Sequence, residues 1–535
     1  MKVRAAYVLP SLLLAILIPV ALGAPAATRY DETYRPQIHY SPPRHWMNDP
    51  NGLVSVHGEY QLFYQYYPDA EVWGPMHWGH AVSTDLVHWA TLDTALEPDP
   101  NGMIFSGSAV FDEHNTTGLA REGIPPLVAI FTYHNPKAEA NHEIKVESQG
   151  LAYSLDHGRT FQKWPQPVLD NPGVRDFRDP KVQWFAPTGR WIMSLAATDG
   201  VRFYSSSDLF HWQFESTFDR QRLGPPGVWE CPDLIEMQDR QTGERHDVLL
   251  VSVNPNASEK DPPSVKRSGT QYYLGHFDGH TFEPDAASTQ PRWLDEGADY
   301  YAAVSWNRDH TALSTPPVVL GWMSNWSYAQ RVPTKSWRGV MAIPRQLELA
   351  QEDGRWSLRS VPIPSLKALR RSTIHVEHPV AAQLGDLANG LTAPTAALDA
   401  NLTVQSPGRR PYALVLSNQQ GERFAINVDP ERHDMTIDRS HSGEVAFAEN
   451  FGTPINVKLP ESMDAVSFRL LIDRSSIEIF VDEGRVNITT LVFPTTPYTR
   501  LRLEGDPSIT IQSVDIFGLD SIWSTAAAEP TSINP

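Results

Sequence analysis

Between residues 40 and 350 the chain carries almost no apolar residues at helical spacing. What recurs instead are short β-rich runs such as Tyr60-Gln61-Leu62-Phe63-Tyr64-Gln65-Tyr66 and Pro126-Leu127-Val128-Ala129-Ile130-Phe131, cut apart by clusters of Gly, Pro, Asn and Asp. This pattern predicts an all-β fold. A weak repeat sharpens it: Ser83-Thr84-Asp85-Leu86-Val87-His88-Trp89 is echoed by Ser206-Ser207-Asp208-Leu209-Phe210-His211-Trp212, with looser relatives at Ser154–Phe161 and His276–Phe282. Each places a polar turn ahead of an aromatic that enters a strand, at separations of 71, 52 and 70 residues. That spacing suits one four-stranded propeller blade plus insertions, and about five blades fill the first 350 residues.

From Gln351 the character changes. A linker is expected around Val361-Pro362-Ile363-Pro364, with a short helix over Lys367–Arg371. After it, alternating runs such as Tyr412–Leu416, Ala465–Asp473, Ser476–Val481 and Ile488–Phe493 predict a second, smaller β domain of sandwich type. The expected boundaries are a propeller over 30–358, a linker over 359–372, a β-sandwich over 373–524 and a loose Ser/Thr/Ala/Pro-rich tail over 525–535. A structural role is expected for the sandwich, burying an apolar face of the propeller, with the rim of a substrate cleft as a possible second contact.

Residues 1–24 combine Lys2 and Arg4, the apolar run Leu12–Ile18 and small residues at Ala21, Gly23 and Ala24, the three-part layout of a secretory signal peptide. No later segment has the length and apolarity of a transmembrane helix, so a secreted, extracellular protein is expected. Asn-x-Ser/Thr sites at Asn115, Asn256, Asn325, Asn401 and Asn487 are the glycosylation candidates. Cys231 is the single cysteine and cannot form an internal disulfide; between an acid and a proline it reads as a packing residue that tunes Glu230. With 63 acids against 44 bases, the formal charge of -19 argues against nucleic acid or an anionic membrane as partner.

Three acids stand in unusually aromatic company: Asp49 in Trp46-Met47-Asn48-Asp49-Pro50-Asn51-Gly52, Asp179 in Phe177-Arg178-Asp179-Pro180, and Glu230 in Val228-Trp229-Glu230-Cys231-Pro232-Asp233. Each is followed directly or one residue later by proline, which restricts the backbone and so fixes where the acid points. On the expected layout they fall in three successive blades. Together they supply the nucleophile, acid/base and third carboxylate of a retaining glycosidase, whose two reacting carboxyls lie about 5–5.5 Å apart. Trp229 and Cys231 offer an apolar setting that would raise the pKa of Glu230, making it the better acid. Asp49, among turn amides and Asn48, is the better nucleophile. Arg178 would keep Asp179 ionised.

Trp46–Gly52, Phe105-Ser106-Gly107-Ser108, Phe177–Pro180 and Trp229–Asp233 resemble, in order, the signature blocks of glycoside hydrolase family 32, the invertase, inulinase and levanase family. The likeness covers roughly residues 38–520 and extends to Asp299–Ala303, Trp337-Arg338 and Asp473–Phe480. It implies a five-bladed β-propeller followed by a C-terminal β-sandwich, acting with retention on β-fructofuranosyl linkages of sucrose, inulin or levan. It also implies Asp49 as nucleophile, Glu230 as acid/base and Asp179 as transition-state stabiliser. Asn48, Gln65, Trp73, Phe105, Ser106 and Arg178 would line the fructosyl pocket, with Trp326 or Trp337 closing it. Two departures, Gln65-Tyr66-Tyr67-Pro68 and Trp73-Gly74-Pro75 where many members carry Gln-x-Asn-Pro and Trp-Gly-Asn, bear on the pocket rim.

No metal or organic cofactor is required by this chemistry. Asp233 and the Asp295–Asp299 acids lack a cation-binding loop and read as solvated. Two other functions compete: a fructosyltransferase using the same intermediate, and a non-catalytic carbohydrate-binding protein, which would not require all three acids.

Overall fold

The computed structural model describes residues 30–223, 227–255, 268–288, 290–307, 315–352, 354–379, 395–460 and 465–523. The predicted signal peptide, the tail and Asn256 lie outside them.

Five antiparallel sheets follow one another as blades of a propeller. The first contains His45–Val56, Glu59–Tyr67, His77–Ser83 and Ala90–Leu96; the second Met103–Phe111, Leu127–His134, Glu147–Ser154 and Gln162–Lys163. The third contains Arg178–Phe185, Arg190–Ala197, Gly200–Ser206 and Gln213–Asp219; the fourth Val228–Gln238, Arg245–Asn254, Gly269–Phe277 and Phe282–Pro284. Tyr301–Ser305, Val318–Trp322, Arg345–Glu352 and Arg355–Pro362 make the fifth. Because a blade is covered on both faces by its neighbours, its middle strands are apolar on both sides. Leu127–His134 is buried at every position, which is why such strands appear in the sequence as continuous runs and not as alternation.

The polar repeat is the turn between the third and fourth strands of each of the first four blades. Ser83 Oγ accepts from the Leu86 amide at 2.8 Å, and Asp85 Oδ1 accepts from the amides of Val87 and His88 at 2.9 and 2.8 Å. Ser206 and Asp208 reproduce the arrangement with Leu209, Phe210 and His211. An Asp side chain that satisfies two turn amides lets the chain reverse without burying unpaired N–H groups.

The ring closes through a segment inside the last blade. Trp337–Arg338 adds in parallel to the free edge of His45–Val56, pairing His45 with Trp337 and Trp46 with Arg338. Trp337 is 2% exposed, with the Arg35 guanidinium 4.3 Å from its ring. It fastens the ring and does not reach the cleft, contrary to its expected place at the pocket mouth.

Arg355–Pro362 completes the fifth blade, and the first sandwich strand starts at Arg370, so the connection shrinks from the expected 359–372 to a few residues containing a 3-10 turn, Pro364–Leu369. Six-stranded and five-stranded sheets then pack face to face around a core that includes Phe424, Ile437, Leu470, Ile479 and Ile488.

Propeller and sandwich meet through apolar contacts, with Leu471 and Phe480 joining Ile343 and Met341, and also through buried ion pairs. Asp295 meets Arg345 at 2.8 Å, Arg345 meets Glu478 at 2.9 Å, Asp299 meets Arg439 at 2.6 Å, and His39 meets Asp473 at 2.8 Å. Asp233, also fully buried, lies 3.3 Å from Lys181. The reading of Asp233, Asp295 and Asp299 as solvated is therefore corrected: each is buried against a cation from a distant part of the chain.

Two glycosylation candidates are corrected as well. The amides that would carry the sugar are buried and donate inward, Asn325 to the Ala298 carbonyl at 2.9 Å and Asn487 to that of Gly484 at 3.2 Å. Asn115 is exposed and Asn401 half-buried.

Candidate active site

The innermost strand of every blade breaks its register, and that of the first blade does so twice. Asn48-Asp49, Phe105-Ser106, Asp179-Pro180, Cys231-Pro232 and Ala302-Ala303 each place two residues opposite one on the neighbouring strand. Such a bulge turns a side chain that alternation would send elsewhere. Three of them hold a non-glycine residue in the left-handed region, Asp179 at φ 63°, Cys231 at 47° and Ala302 at 53°, a conformation that persists only where surrounding contacts enforce it. Pro180 and Pro232 sit within bulges on edge strands, the places in a sheet where the missing N–H costs no ladder bond.

Residues of the first three bulges, with Glu230 just before the fourth, line one cleft of about 680 Å³. Asp49 comes from the first blade, Ser106 from the second, Asp179 from the third and Glu230 from the fourth, so the acids do not lie in three successive blades as expected. The blade between Asp49 and Asp179 contributes Ser106, whose hydroxyl donates to Asp49 Oδ2 at 2.9 Å. Asp49 Oδ1 is shielded from solvent and has no hydrogen-bond partner among the described residues. Burial, reinforced by the charge of Glu230, raises the Asp49 pKa to about 6, with Asn48, Ser106 and Cys231 pulling partly the other way.

Arg178 does not serve Asp179. Its guanidinium turns to Glu230 at 2.9 Å, Glu147 at 3.1 Å and Asp176 at 2.8 Å. Asp179 instead accepts from the Cys231 amide at 3.0 Å, while its own amide donates to Thr132 Oγ1 at 3.0 Å. Burial pushes the Asp179 pKa up; the Arg178 charge acts against this, and Glu230 and Asp49 add to the rise. The charge of Arg178 acts in the expected direction, towards keeping Asp179 ionised, but burial outweighs it.

Glu230 also differs from its expected setting. Trp229, on the opposite face of the strand, is buried beside Phe218 and Tyr273 inside the blade, and the Cys231 sulfur lies 3.7 Å from Asp49 and 3.6 Å from Asp179. Glu230 meets Arg178 through one oxygen and the Tyr301 hydroxyl of the fifth blade through the other. Burial first, then the three surrounding carboxylates, raises the Cys231 thiol pKa well above its ordinary value, so the sulfur stays protonated.

Of the pocket residues expected, Asn48, Gln65, Trp73, Phe105, Ser106, Arg178 and Trp326 line the cleft and Trp337 does not. Trp326 stacks on Trp46 at 6.0 Å, and the Trp46 indole donates to Asn48 Oδ1 at 2.7 Å, so one buried aromatic positions two pocket groups. Trp73 stands edge-on to Phe105 at 6.1 Å, and Phe105 stacks on His134 at 4.3 Å. Sequence reasoning missed Tyr301, His134 and Glu147. Tyr301 lies in a block noted only for resemblance; His134 and Glu147 end adjacent strands and carry no local signal. Also missed was the segment after His134, where a short helix, Pro136–Ala140, capped by the Asn135 side chain, brings Glu139, His142, Glu143 and Ile144 to the cleft wall.

Several acids converging on a sugar-sized cleft with aromatic walls are the apparatus of a glycosidase. Comparison with known proteins makes the class specific. Residues 39–362 match the N-terminal domain and residues 365–517 the C-terminal domain described for glycosyl hydrolases family 32. The chain belongs to that family and is a glycosidase. It is 37% identical over 524 residues to a levanase of Bacillus subtilis, covering 95% of this chain and 74% of that protein. It is 34% identical to an extracellular exo-inulinase of Aspergillus awamori, covering 95% of this chain and 99% of the relative. The crystal structure of exo-inulinase from Aspergillus awamori superposes with a TM-score of 0.80 at 32% identity over 92% of this chain and 100% of that one. A β-fructofuranosidase from Schwanniomyces occidentalis complexed with fructosyl-erythritol superposes with a TM-score of 0.78 at 29% identity, covering 91% and 98%.

Proposed function

We propose that this protein is secreted and hydrolyses terminal β-D-fructofuranosyl linkages of sucrose or of inulin- or levan-type fructans, with retention. The observation that carries the reading is the convergence of Asp49, Asp179 and Glu230 on one cleft, with Asp49 Oδ1 unpaired and Glu230 held from two sides.

Asp49 attacks the anomeric carbon while Glu230 gives a proton to the departing oxygen, leaving fructose esterified to Asp49; water deprotonated by Glu230 then releases it. Asp179 holds sugar hydroxyls from the floor of the cleft, and Trp73, Phe105 and Trp326 offer faces for the C–H surface of the ring.

The test is product analysis on sucrose, inulin and levan, with kcat/KM compared across the three. Free fructose released from chain ends by the wild type, and its loss in a folded Asp49→Asn variant, are the expected results. Full fructose release by that variant would remove Asp49 as nucleophile. Oligosaccharides outweighing fructose at high sucrose would replace hydrolysis by transfer.

A further inference from the structure

At the end of the fourth blade remote from the cleft, two histidines and an aspartate meet. Glu230 pairs with Ser252 at one end of the innermost hairpin, and Met237 pairs with His246 at the other. His276 lies on the adjoining strand, Gly269–Phe277, and Asp285 just beyond Phe282–Pro284. One ligand atom from each of His246, His276 and Asp285 lies within 4.8 Å of the other two.

The imidazole of His246 is 4% exposed and its two nitrogens face different partners. Nε2 lies 3.2 Å from Glu244 Oε1, a carboxylate that can only accept, so this nitrogen carries the hydrogen. Nδ1, buried and without a hydrogen-bond partner, is left with its lone pair aimed at Asp285 Oδ2, 3.4 Å away. With Nε2 carrying the hydrogen, two acceptors face each other, one from a buried ring and one from the partly exposed Asp285, an arrangement that a cation or a proton between them relieves. The other Asp285 oxygen faces His276 Nε2 at 3.7 Å. Ligands bound tetrahedrally at about 2.0–2.1 Å stand roughly 3.3 Å apart, so both contacts of Asp285 are near that spacing, and the exposed His276 ring, stacked on His246 with centroids 5.3 Å apart, turns from that stack to close the remainder.

We propose that His246, His276 and Asp285 bind a borderline-soft divalent metal of the zinc class, with Glu244 orienting His246 from behind as the outer carboxylates of His-metal sites do. The site has three protein ligands and lies away from the reacting acids. It ties the second and third strands of the blade to the segment that follows the fourth, and so clamps the blade without taking part in hydrolysis.

The test is titration of chelator-stripped full-length protein, free of any affinity tag, with ZnCl2 by calorimetry, with CoCl2 to report tetrahedral coordination through its visible spectrum. One equivalent is expected to bind and to raise the Tm by several degrees, while Mg2+ and Ca2+ do neither. His276→Ala and Asp285→Asn should each weaken Zn2+ binding at least tenfold, and Glu244→Gln about tenfold with the stoichiometry unchanged. Unaltered sucrose hydrolysis by His276→Ala confirms that this variant is folded. No 1:1 binding below millimolar Zn2+, as when a proton fills the gap, or binding that survives both His276→Ala and Asp285→Asn, would overturn the site.

Discussion

Two clusters of buried acids sit in this chain, and they are built on opposite plans. At the propeller–sandwich junction, Asp295, Asp299, Asp473 and Glu478 meet Arg345, Arg439 and His39, and backbone amides take up further lone pairs; Asp473 alone accepts from Gln37 and Ile38. In the cleft, one guanidinium contacts three acids while Asp49 and Asp179 have no ion pair among the described residues. Acids each set against a cation give a joint with one geometry. Carboxyls buried without a cation partner have raised pKa values, as Asp49 and Asp179 do, at a cost to stability when they are ionised.

The largest test of this contrast is Asp49→Asn. Loss of kcat on the order of 10⁴-fold or more is expected in steady-state assays. The same variant should melt higher at pH 7. A carboxyl whose pKa is raised to about 6 binds its proton more tightly folded than unfolded. Its ionised form therefore penalises the native state above pH 6, and the penalty fades as pH falls towards the unfolded value near 4. A thermal melt at pH 7 in which the variant is less stable than the wild type would break the comparison.

At the junction the sign reverses. Replacing Arg439 by Met leaves Asp299 buried without its cation and should cost about 3–5 kcal/mol in denaturant unfolding, with kcat per folded molecule unchanged. His39 makes a smaller, pH-dependent version of the same statement. Burial alone would keep it neutral, but Asp473 and Glu478 outweigh burial and bring its pKa up to about 9. That stabilisation is complete below about pH 6.5 and is lost as pH rises through about 9. Melting curves from pH 6.5 to 9.5 should fall in the wild type and flatten in His39→Gln.

Smallest is Ser106→Ala, which removes one hydrogen bond to Asp49. A five- to tenfold loss in kcat/KM, about 1–1.4 kcal/mol, is expected. Because Ser106 helps hold Asp49 ionised, the acid limb of the kcat/KM profile should move to higher pH.

What the sequence disclosed and what it hid follow from the same geometry. Strands were legible because packing on both faces makes them uniformly apolar, and the blades because Ser83, Ser154 and Ser206 open equivalent turns. The three acids were legible because proline stands beside each, at Pro180 and Pro232 within bulges on edge strands and at Pro50 next to a bulge. Their surroundings were not, since a bulge sends consecutive side chains to unrelated places: Trp229 goes into the blade, Glu230 into the cleft and Cys231 towards Asp49 and Asp179. Partners such as Tyr301 for Glu230, or Arg439 for Asp299, come from other blades or the other domain. One rim departure packs beside the other's segment: a Cβ on Gly74, which precedes Pro75, would come within 2.4 Å of the Tyr67 ring.

The parallel pairing of Trp337–Arg338 with the strand that bears Asp49 also sets an order of events. During synthesis Asp49 emerges nearly three hundred residues before the segment that fastens its strand. The nascent chain therefore carries Asp49 long before its strand is fastened, and the cleft walls come together only once the fifth blade has been made, with the sandwich still to follow.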